Sequence, residues 1–200
     1  SEDACVYLYA VSEEYESIGK CRRHTEPITN MDFDGDSKWL QTNCAGGQLL
    51  FFNATTAQYQ SNLSAMKDVD WSTQSCVLSF STVGAWRALE SMRDLADKGG
   101  KTADNPAITA VDRATSDPPG LLVTGDSYGR VRLFRYPSRE HETPFHEWRG
   151  HSSPIRAIKF MNEDTHVISI GQSDRCVFQW RYAEDERYEE ALVKDDYDDD

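Results

Sequence analysis

The feature that most constrains this chain is an internal repeat, because three similar segments recur along its 200 residues. Each segment opens with apolar residues at alternate positions, the pattern of a β-strand buried on one face. A turn, a second strand, a short loop and a third strand then follow in the same order. The three opening strands lie at residues 27–33, 107–113 and 154–160.

The length of the repeat is nearly constant. The first isoleucine and the closing aromatic residue are 24, 26 and 25 residues apart in the pairs Ile28–Phe52, Ile108–Phe134 and Ile155–Trp180. A partial unit precedes them, in which Asp3 lies six residues before Tyr9, as Asp174 lies six before Trp180. The repeats have no helical periodicity, so we predict an all-β fold of antiparallel sheets.

A four-strand unit that recurs about every 45 residues is typical of blades of a β-propeller, and specifically of WD40 repeats. The last unit has the polar residues of that class: His151, Ser169, Asp174 and Trp180. We expect a buried relay in which the histidine bonds to the serine and aspartate, and the serine to the indole N–H. We interpret this tetrad as structural and not catalytic.

The other two units retain only parts of the tetrad. The first has His24, but Gly46 and Phe52 replace the aspartate and tryptophan. The middle unit has Asp104 at the histidine position, with Tyr128 and Phe134 further along. An aromatic residue at the tryptophan position would keep the packing and lose the hydrogen bond.

These units predict a partial WD40-type propeller of about three and a half four-stranded blades over residues 1–182. We assign 1–19 to the end of a preceding blade, and 20–62, 106–140 and 141–182 to three blades. A propeller closes with about four to eight blades, so we expect other sequence or a partner chain to complete it. The first residue is not Met and a strand begins almost at once, which suggests a longer protein.

Residues 63–105 are longer than a blade connection requires. Two segments, 68–71 and 76–80, are typical of strands and predict an elongated outer hairpin. Apolar residues then recur every three positions from Trp86 until Gly99-Gly100, which predicts a short helix over 86–98.

Charge and cysteine content exclude several classes of protein. The net charge is −13, of which residues 183–200 carry −8, and we expect this acidic tail to be disordered. An acidic chain is poorly suited to nucleic acid, and no apolar run is long enough to span a membrane. The five scattered cysteines form no Cys-x-x-Cys pair, which favours a reducing, cytoplasmic setting over a disulfide framework.

Three motifs offer chemical alternatives. Residues 125–129 match the Gly-x-Ser-x-Gly nucleophile elbow around Ser127, but an alternating strand follows where a hydrolase needs a helix. Residues 32–36 are similar to a calcium loop, yet Asn43 stands where a bidentate glutamate is required. His141 and His146 have no recognised metal spacing. We therefore predict no enzyme activity and no cofactor.

Several segments together resemble the echinoderm microtubule-associated protein-like (EMAP-like) family over about residues 1–182. They are Asp-Val-Asp-Trp-Ser-Thr at 68–73, Cys-Val-Leu-Ser-Phe at 76–80, Gly-Ala-Trp at 84–86, residues 121–126, 129–134 and 136–137, Gly-His-Ser-Ser at 150–153, and Gln-Trp-Arg at 179–181. The resemblance places the chain in the last blades of that family's tandem propellers. The segment 86–98 and the acidic tail depart from the family pattern.

The resemblance implies a non-enzymatic scaffold whose propeller binds tubulin or microtubules, in the cytoskeleton and sometimes in cilia or flagella. Tubulin is acidic, so an acidic chain would need local basic sites. Candidate sites are Arg22 with Arg23, and Arg130 with Arg132 and Arg135. The alternative is a generic WD40 adaptor in a complex outside the cytoskeleton.

Overall fold

A computed structural model describes residues 1–86, 107–116, 120–140 and 143–181. Within these ranges the chain forms twelve strands and four single-turn 3-10 helices, the latter at Val11–Glu13, Leu63–Met66, Val83–Ala85 and Asn162–Asp164. The strands are β1 (Cys5–Ala10), β2 (Glu16–Arg22), β3 (Ile28–Phe33), β4 (Trp39–Cys44), β5 (Leu49–Asn53), β6 (Ile108–Arg113), β7 (Leu121–Asp126), β8 (Arg130–Arg135), β9 (Phe145–Arg149), β10 (Ile155–Phe160), β11 (His166–Gly171) and β12 (Val177–Arg181).

The strands form four antiparallel sheets, which confirms the predicted all-β class. Sheet one is β1-β2, sheet two β3-β4-β5, sheet three β6-β7-β8-β9 and sheet four β10-β11-β12. Only sheet three has the four strands expected of a complete blade among the described residues. In sheet two the fourth strand is reduced to one bridge between Phe52 and Tyr59, flanked by two backbone hydrogen bonds of 2.8 Å.

The sheets are offset from the sequence repeats. β2 runs through the predicted boundary at residue 19 and pairs along its length with β1. β9 likewise follows the boundary at residue 141 but pairs with β8. The last strand before each repeat therefore completes the preceding sheet, so each repeat links two neighbouring sheets.

The closing aromatic residues occupy one equivalent core position in three of the four sheets. Phe52 is paired with Leu40, Phe134 with Leu122, and Trp180 with Val167, each at the second residue of the middle strand. Tyr9, the aromatic residue that the repeat spacing aligns with Trp180, does not share this position and is 52% exposed. Strand β1 alternates its faces, so Val6 and Leu8 enter the core beside Phe52 and Tyr9 points the other way.

The predicted elongated hairpin is wrong. The 63–86 segment has no paired strand, and its one ladder contact is a bridge between Trp71 and Asp34. It packs instead on sheet two, where the ring of Phe51 stacks on those of Trp71 and Phe80 at 5.8 Å. The far end of the segment places Ala85 in the core of sheet three. The 63–86 segment thus lies between these two sheets.

Side chains replace the strand ladder in this segment. Asp32 accepts hydrogen bonds from the backbone N–H groups of Ser75 (2.8 Å) and Cys76 (2.9 Å). Asn43 both donates to and accepts from the backbone of Leu78, at 2.9 Å each way. Buried backbone groups must be paired, and these two side chains pair them without a second strand.

The predicted helix at 86–98, Asp104, His141 and the acidic tail at 183–200 lie outside the described residues, apart from Trp86 at the start of that helix.

Candidate interaction surface

The structure brings the four tetrad residues of sheet four together in one hydrogen-bonded chain. His151 Nε2 lies 2.8 Å from Ser169 Oγ, and the indole N–H of Trp180 donates to that same oxygen at 2.8 Å. His151 Nδ1 lies 2.8 Å from Asp174 Oδ2. Ser169 is fully buried, so these bonds satisfy polar groups that water cannot reach.

Asp174 also fixes the loops around the tetrad. It accepts hydrogen bonds from the backbone N–H groups of Cys176 (3.0 Å) and Ser152 (3.2 Å). The bond from Cys176 and the contact with His151 hold the pKa of this carboxyl below its usual value. The carboxylate therefore joins the loop before β10 to the loop before β12.

Sheet two has a weaker version of the same arrangement. His24 Nε2 lies 2.7 Å from Thr42 Oγ1, which stands where Ser169 does in sheet four. The buried Nδ1 of His24 has no hydrogen-bond partner among the described residues. Burial lowers the pKa of His24, although Gln48 opposes this shift. This histidine therefore lacks, among the described residues, the carboxylate partner that His151 has in Asp174.

Sheet three replaces the tetrad with a buried ion-pair network. Arg132 is paired with Thr124, as Phe178 is paired with Ser169 in sheet four. The guanidinium of Arg132 lies 2.9 Å from Glu147 and 3.4 Å from Asp126. Burial raises the pKa of Glu147, but the bond and charge of Arg132 outweigh it and leave that pKa lowered.

The predicted basic site on β8 is consequently wrong for Arg132, which is only 3% exposed. The strand alternates its faces, so this side chain enters the sheet interior and its charge is neutralised there. Arg130 is half-buried and lies 3.6 Å from Glu147. Arg135 is exposed at the other end of β8, so the three arginines form no common surface.

Arg22 and Arg23 are both exposed, at the end of β2 and in the loop that follows it. The guanidinium carbon of Arg23 lies 4.2 Å from the centre of the Tyr59 ring, a cation–π contact that leaves its charge available. Within the described residues neither arginine forms an ion pair. This part of the predicted surface is therefore accessible.

The loops form two rims at opposite ends of the strands. The arginine rim comprises loops 23–27, 45–48, 127–129, 150–154 and 172–176, with the residues before β1 and the adjoining strand ends. Loops of neighbouring sheets meet in this rim. Gly129, between β7 and β8, lies so close to the loop before β10 that a Cβ at this position would meet the His151 carbonyl oxygen. The acidic rim comprises the loops at the other end, where Asp164 of sheet four accepts a 2.8 Å bond from Thr115 N–H of sheet three.

The two rims differ in their exposed charge. Among described residues, the arginine rim exposes four arginines and three carboxylates, namely Arg22, Arg23, Arg149, Arg175, Glu2, Asp3 and Glu26. One of these carboxylates, Asp3, is paired with Lys20 at 3.1 Å, and one of the arginines, Arg149, is paired with Glu147 at 3.3 Å. The acidic rim exposes eight carboxylates and five basic residues, namely Glu13, Glu14, Glu16, Asp36, Asp68, Asp70, Glu140, Glu163, Lys38, Lys67, Arg135, Arg139 and Arg181. An acidic partner is therefore favoured at the arginine rim.

Sequence reasoning did not identify Arg149 and Arg175 as members of this surface. The repeat itself contained the signal for Arg149, because Arg149 precedes His151 by two residues as Arg22 precedes His24. Arg175 gave no such signal, since it follows the tetrad aspartate in a loop of variable length.

The structure contradicts two of the chemical alternatives, the nucleophile elbow and the calcium loop. Ser127 lies in the turn between the antiparallel strands β7 and β8, not at a helix N-terminus. Asp32 is committed to backbone N–H groups of the 63–86 segment. The described part of the chain contains no group of three metal-ligating side chains and no helix long and apolar enough to cross a membrane.

Successive antiparallel sheets that share rims, and a histidine–serine–aspartate–tryptophan relay in one of them, define blades of a WD40-type β-propeller. The family model described as the echinoderm microtubule-associated protein second beta-propeller matches residues 1–182. The chain belongs to this family, which confirms the resemblance seen in the sequence.

Relatives agree with this assignment. The chain is 33% identical to rat echinoderm microtubule-associated protein-like 1 over 184 residues, which cover 90% of this chain and 21% of that protein. It is 33% identical to rat echinoderm microtubule-associated protein-like 2, over 92% of this chain and 26% of that protein. The human form of echinoderm microtubule-associated protein-like 4 is 30% identical, over 92% and 18%. The chain thus spans about a fifth to a quarter of these relatives.

Among solved structures, the crystal structure of the computationally designed Ika4 protein aligns over 92% of this chain and 82% of that one. Its TM-score is 0.43 at 15% identity, too low to support an inference.

Proposed function

We propose that this chain is part of a non-enzymatic, microtubule-associated scaffold, and that its arginine rim binds the acidic surface of tubulin. The proposal rests on membership of a family whose relatives are named as microtubule-associated proteins. The observation that carries it is the adjacent pair Arg22 and Arg23, exposed and free of ion pairs within the described residues.

Local charge is what this function requires, because the whole chain carries a net charge of −13. Two acidic molecules repel each other at long range. At physiological ionic strength, dissolved ions screen this repulsion at separations beyond about 8 Å. Binding therefore depends on short-range pairing of arginines with carboxylates, which the bidentate guanidinium suits. The acidic rim would face away from the lattice.

In this proposal the tetrad supports the surface and does no chemistry. His151, Ser169, Asp174 and Trp180 use their polar atoms on one another, which fixes the loops at 150–154 and 172–176 of the arginine rim. A protein that works by shape and charge needs no cofactor, and the acidic balance of the chain gives no reason to expect nucleic acid as a partner. We place the protein in the cytoplasm on the cytoskeleton, with cilia or flagella as one setting.

We further propose that other blades complete the ring. Tyr7 is exposed on sheet one, on the face opposite Val6 and Leu8, and Ile170 and Val177 are exposed on sheet four. Apolar side chains on a sheet face favour a covering layer. The relatives are four to five times as long, so the covering blades can come from the same polypeptide.

Co-sedimentation of the full-length protein with microtubules tests the function. We expect the protein to pellet with microtubules at low salt, and the double variant Arg22→Glu/Arg23→Glu to lose at least tenfold in affinity. The matched control is Arg135→Glu/Arg139→Glu, which makes the same charge change with exposed residues of the acidic rim and should bind normally.

Two results would reject the proposal. The first is no co-pelleting of the unmodified protein at low salt, with capture of non-cytoskeletal proteins only, as a generic WD40 adaptor predicts. The second is equal loss in both double variants, since that outcome would reflect overall charge and not the arginine rim.

A further inference from the structure

Two loops of the arginine rim are equivalent in sequence and position. Residues 22–28 read Arg-Arg-His-Thr-Glu-Pro-Ile, and residues 149–155 read Arg-Gly-His-Ser-Ser-Pro-Ile. Each loop follows the outer strand of one sheet and leads into the inner strand of the next. Thr25 and Ser152 therefore occupy the same place, each with an arginine three residues before it, and both are exposed.

The Thr25 loop is the more weakly held of the two. Thr25 N–H and its hydroxyl both donate to one neutral oxygen, Gln48 Oε1, at 3.1 and 3.3 Å. The preceding His24 lies 2.7 Å from Thr42 through Nε2, and it has no carboxylate partner among the described residues. Opening this loop costs few hydrogen bonds, none of them to a charged group.

The Ser152 loop is held at two points by one carboxylate, that of Asp174. Asp174 bonds the ring of His151 at 2.8 Å and the N–H of Ser152 at 3.2 Å. Ser153 Oγ accepts two further bonds, from the N–H groups of Ser173 (3.1 Å) and Asp174 (3.2 Å). Hydrogen bonds to charged groups contribute more than neutral ones, so this loop opens less readily.

We propose that Thr25 is a phosphorylation site for a protein kinase that selects arginine two and three residues before its acceptor. Arg22 and Arg23 supply both positions, and kinases discriminate their substrates by such charge patterns. β2 is an edge strand paired only with β1 among the described strands, so its end and the loop can enter a kinase cleft together. Ser152 has only the arginine at the third position, and its loop is fixed.

The step is an ordinary phosphoryl transfer from ATP. Thr25 Oγ attacks the γ-phosphorus, and the new Oγ–P bond forms as the bond from that phosphorus to the bridging oxygen of ADP breaks. The kinase's catalytic aspartate takes the hydroxyl proton, and ADP leaves with Mg²⁺. The product carries a charge of about −1.5 to −2 beside two arginines.

Phosphorylation of Thr25 weakens the binding of the arginine rim to tubulin, and this part of the inference rests on the proposed function. The phosphate would pair with Arg22 and Arg23 and cancel their charge, because guanidinium and phosphate form bidentate bonds. It would also lie next to Glu26 and replace the donor hydroxyl that Gln48 accepts. The arginine rim would then repel an acidic lattice.

The test treats the full-length protein with ATP and the catalytic subunit of cyclic-AMP-dependent kinase, and maps the phosphate by mass spectrometry. We expect near-stoichiometric phosphate at Thr25, none at this position in Thr25→Ala, and at least a tenfold slower rate in Arg22→Ala. Gln48→Ala should accelerate the reaction severalfold, because it releases the loop. Ser152→Ala should leave the total unchanged.

The outcomes separate the site from its effect. Absence of phosphate at Thr25, or Ser152 modified within threefold of the Thr25 rate, would overturn the site. If phosphorylated protein pelleted with microtubules as well as kinase-treated Thr25→Ala protein, the switch would be overturned. If Thr25 is modified but unmodified protein never pellets, the proposed function fails and the phosphorylation site stands.

Discussion

At the scale of single residues, the fourth residue of the second strand has different partners in each of the three repeats. Ser169 bonds to a histidine and a tryptophan, Thr42 to a histidine alone, and Thr124 is paired with the buried Arg132. The relay around Ser169 satisfies both ring nitrogens of His151, whereas the contact with Thr42 leaves the buried Nδ1 of His24 without a partner among the described residues. The differences in tethering between the loops of the arginine rim follow from these choices.

Ser169→Ala tests the contribution of the complete tetrad. The change removes the shared acceptor of the Trp180 indole and its contact with His151, so we expect unfolding to become about 1–3 kcal/mol easier. Urea denaturation measures this difference. Ser152→Ala, at an exposed position on the same sheet, should change stability by less than about 0.5 kcal/mol, and an equal effect of both would contradict the role of the tetrad.

His24 predicts a pH dependence of stability. Its pKa is lowered in the folded protein because the ring is buried, whereas the unfolded residue titrates near 6.5. The unfolded state therefore binds more protons below that pH, so stability is constant above about pH 7 and falls as the pH is lowered through 6.5. His24→Gln should remove this component, measured as the difference between the two urea midpoints from pH 7.5 to 5. Parallel curves would contradict the prediction.

At the scale of elements, local sequence patterns predict the strands of the repeats but not the structure of the 63–86 segment. The strands of sheets two, three and four follow from alternating apolar residues and turns, as in 154–160. The apolar run at 76–80 gave the same signal but forms no strand. Asp32 and Asn43 satisfy its backbone instead, and contacts between residues more than thirty positions apart are not visible in local periodicity.

The site residues that were predictable are those at fixed positions of the repeat. The tetrad of sheet four occupies the fixed positions that WD40 repeats reserve for it, so its four members could be named from the sequence. Arg132 could not be placed, because an arginine on an alternating strand has no local sign of burial. Its position depends on Asp126 and Glu147, the second of which lies on the next strand.

Asp32→Ala tests how the 63–86 segment is attached. The variant leaves the N–H groups of Ser75 and Cys76 and the amide of Gln41 without their acceptor in the interior. We expect a loss of about 3 kcal/mol or more in the free energy of unfolding. Asp36→Ala, in the exposed turn four residues later, is the control and should be nearly neutral. Protection of residues 70–80 from hydrogen exchange should fall only in the first variant.

At the scale of the whole molecule, the two outer faces of the array require a covering layer if the ring closes. Ile170 and Val177 are paired across β11 and β12 and are 42% and 65% exposed here. In a closed ring another blade would bury them, and a lysine in that place would be desolvated without a partner.

Ile170→Lys in the full-length protein tests closure. We expect its melting temperature to fall by several degrees, whereas Gln172→Lys in the nearby exposed loop should leave it unchanged. Equal melting temperatures for both variants would mean that the face of sheet four stays in water, against a closed ring.

The orientation of the protein on microtubules shows directly whether the arginine rim or the acidic rim binds tubulin. Electron cryomicroscopy of the full-length protein bound to microtubules would show which rim faces the lattice. We expect the loop after Arg22 and the loops at 150–154 and 172–176 to contact tubulin, with the Glu163 turn pointing into solvent. Density that joins the acidic rim to tubulin, or an undecorated lattice at low salt, would contradict it.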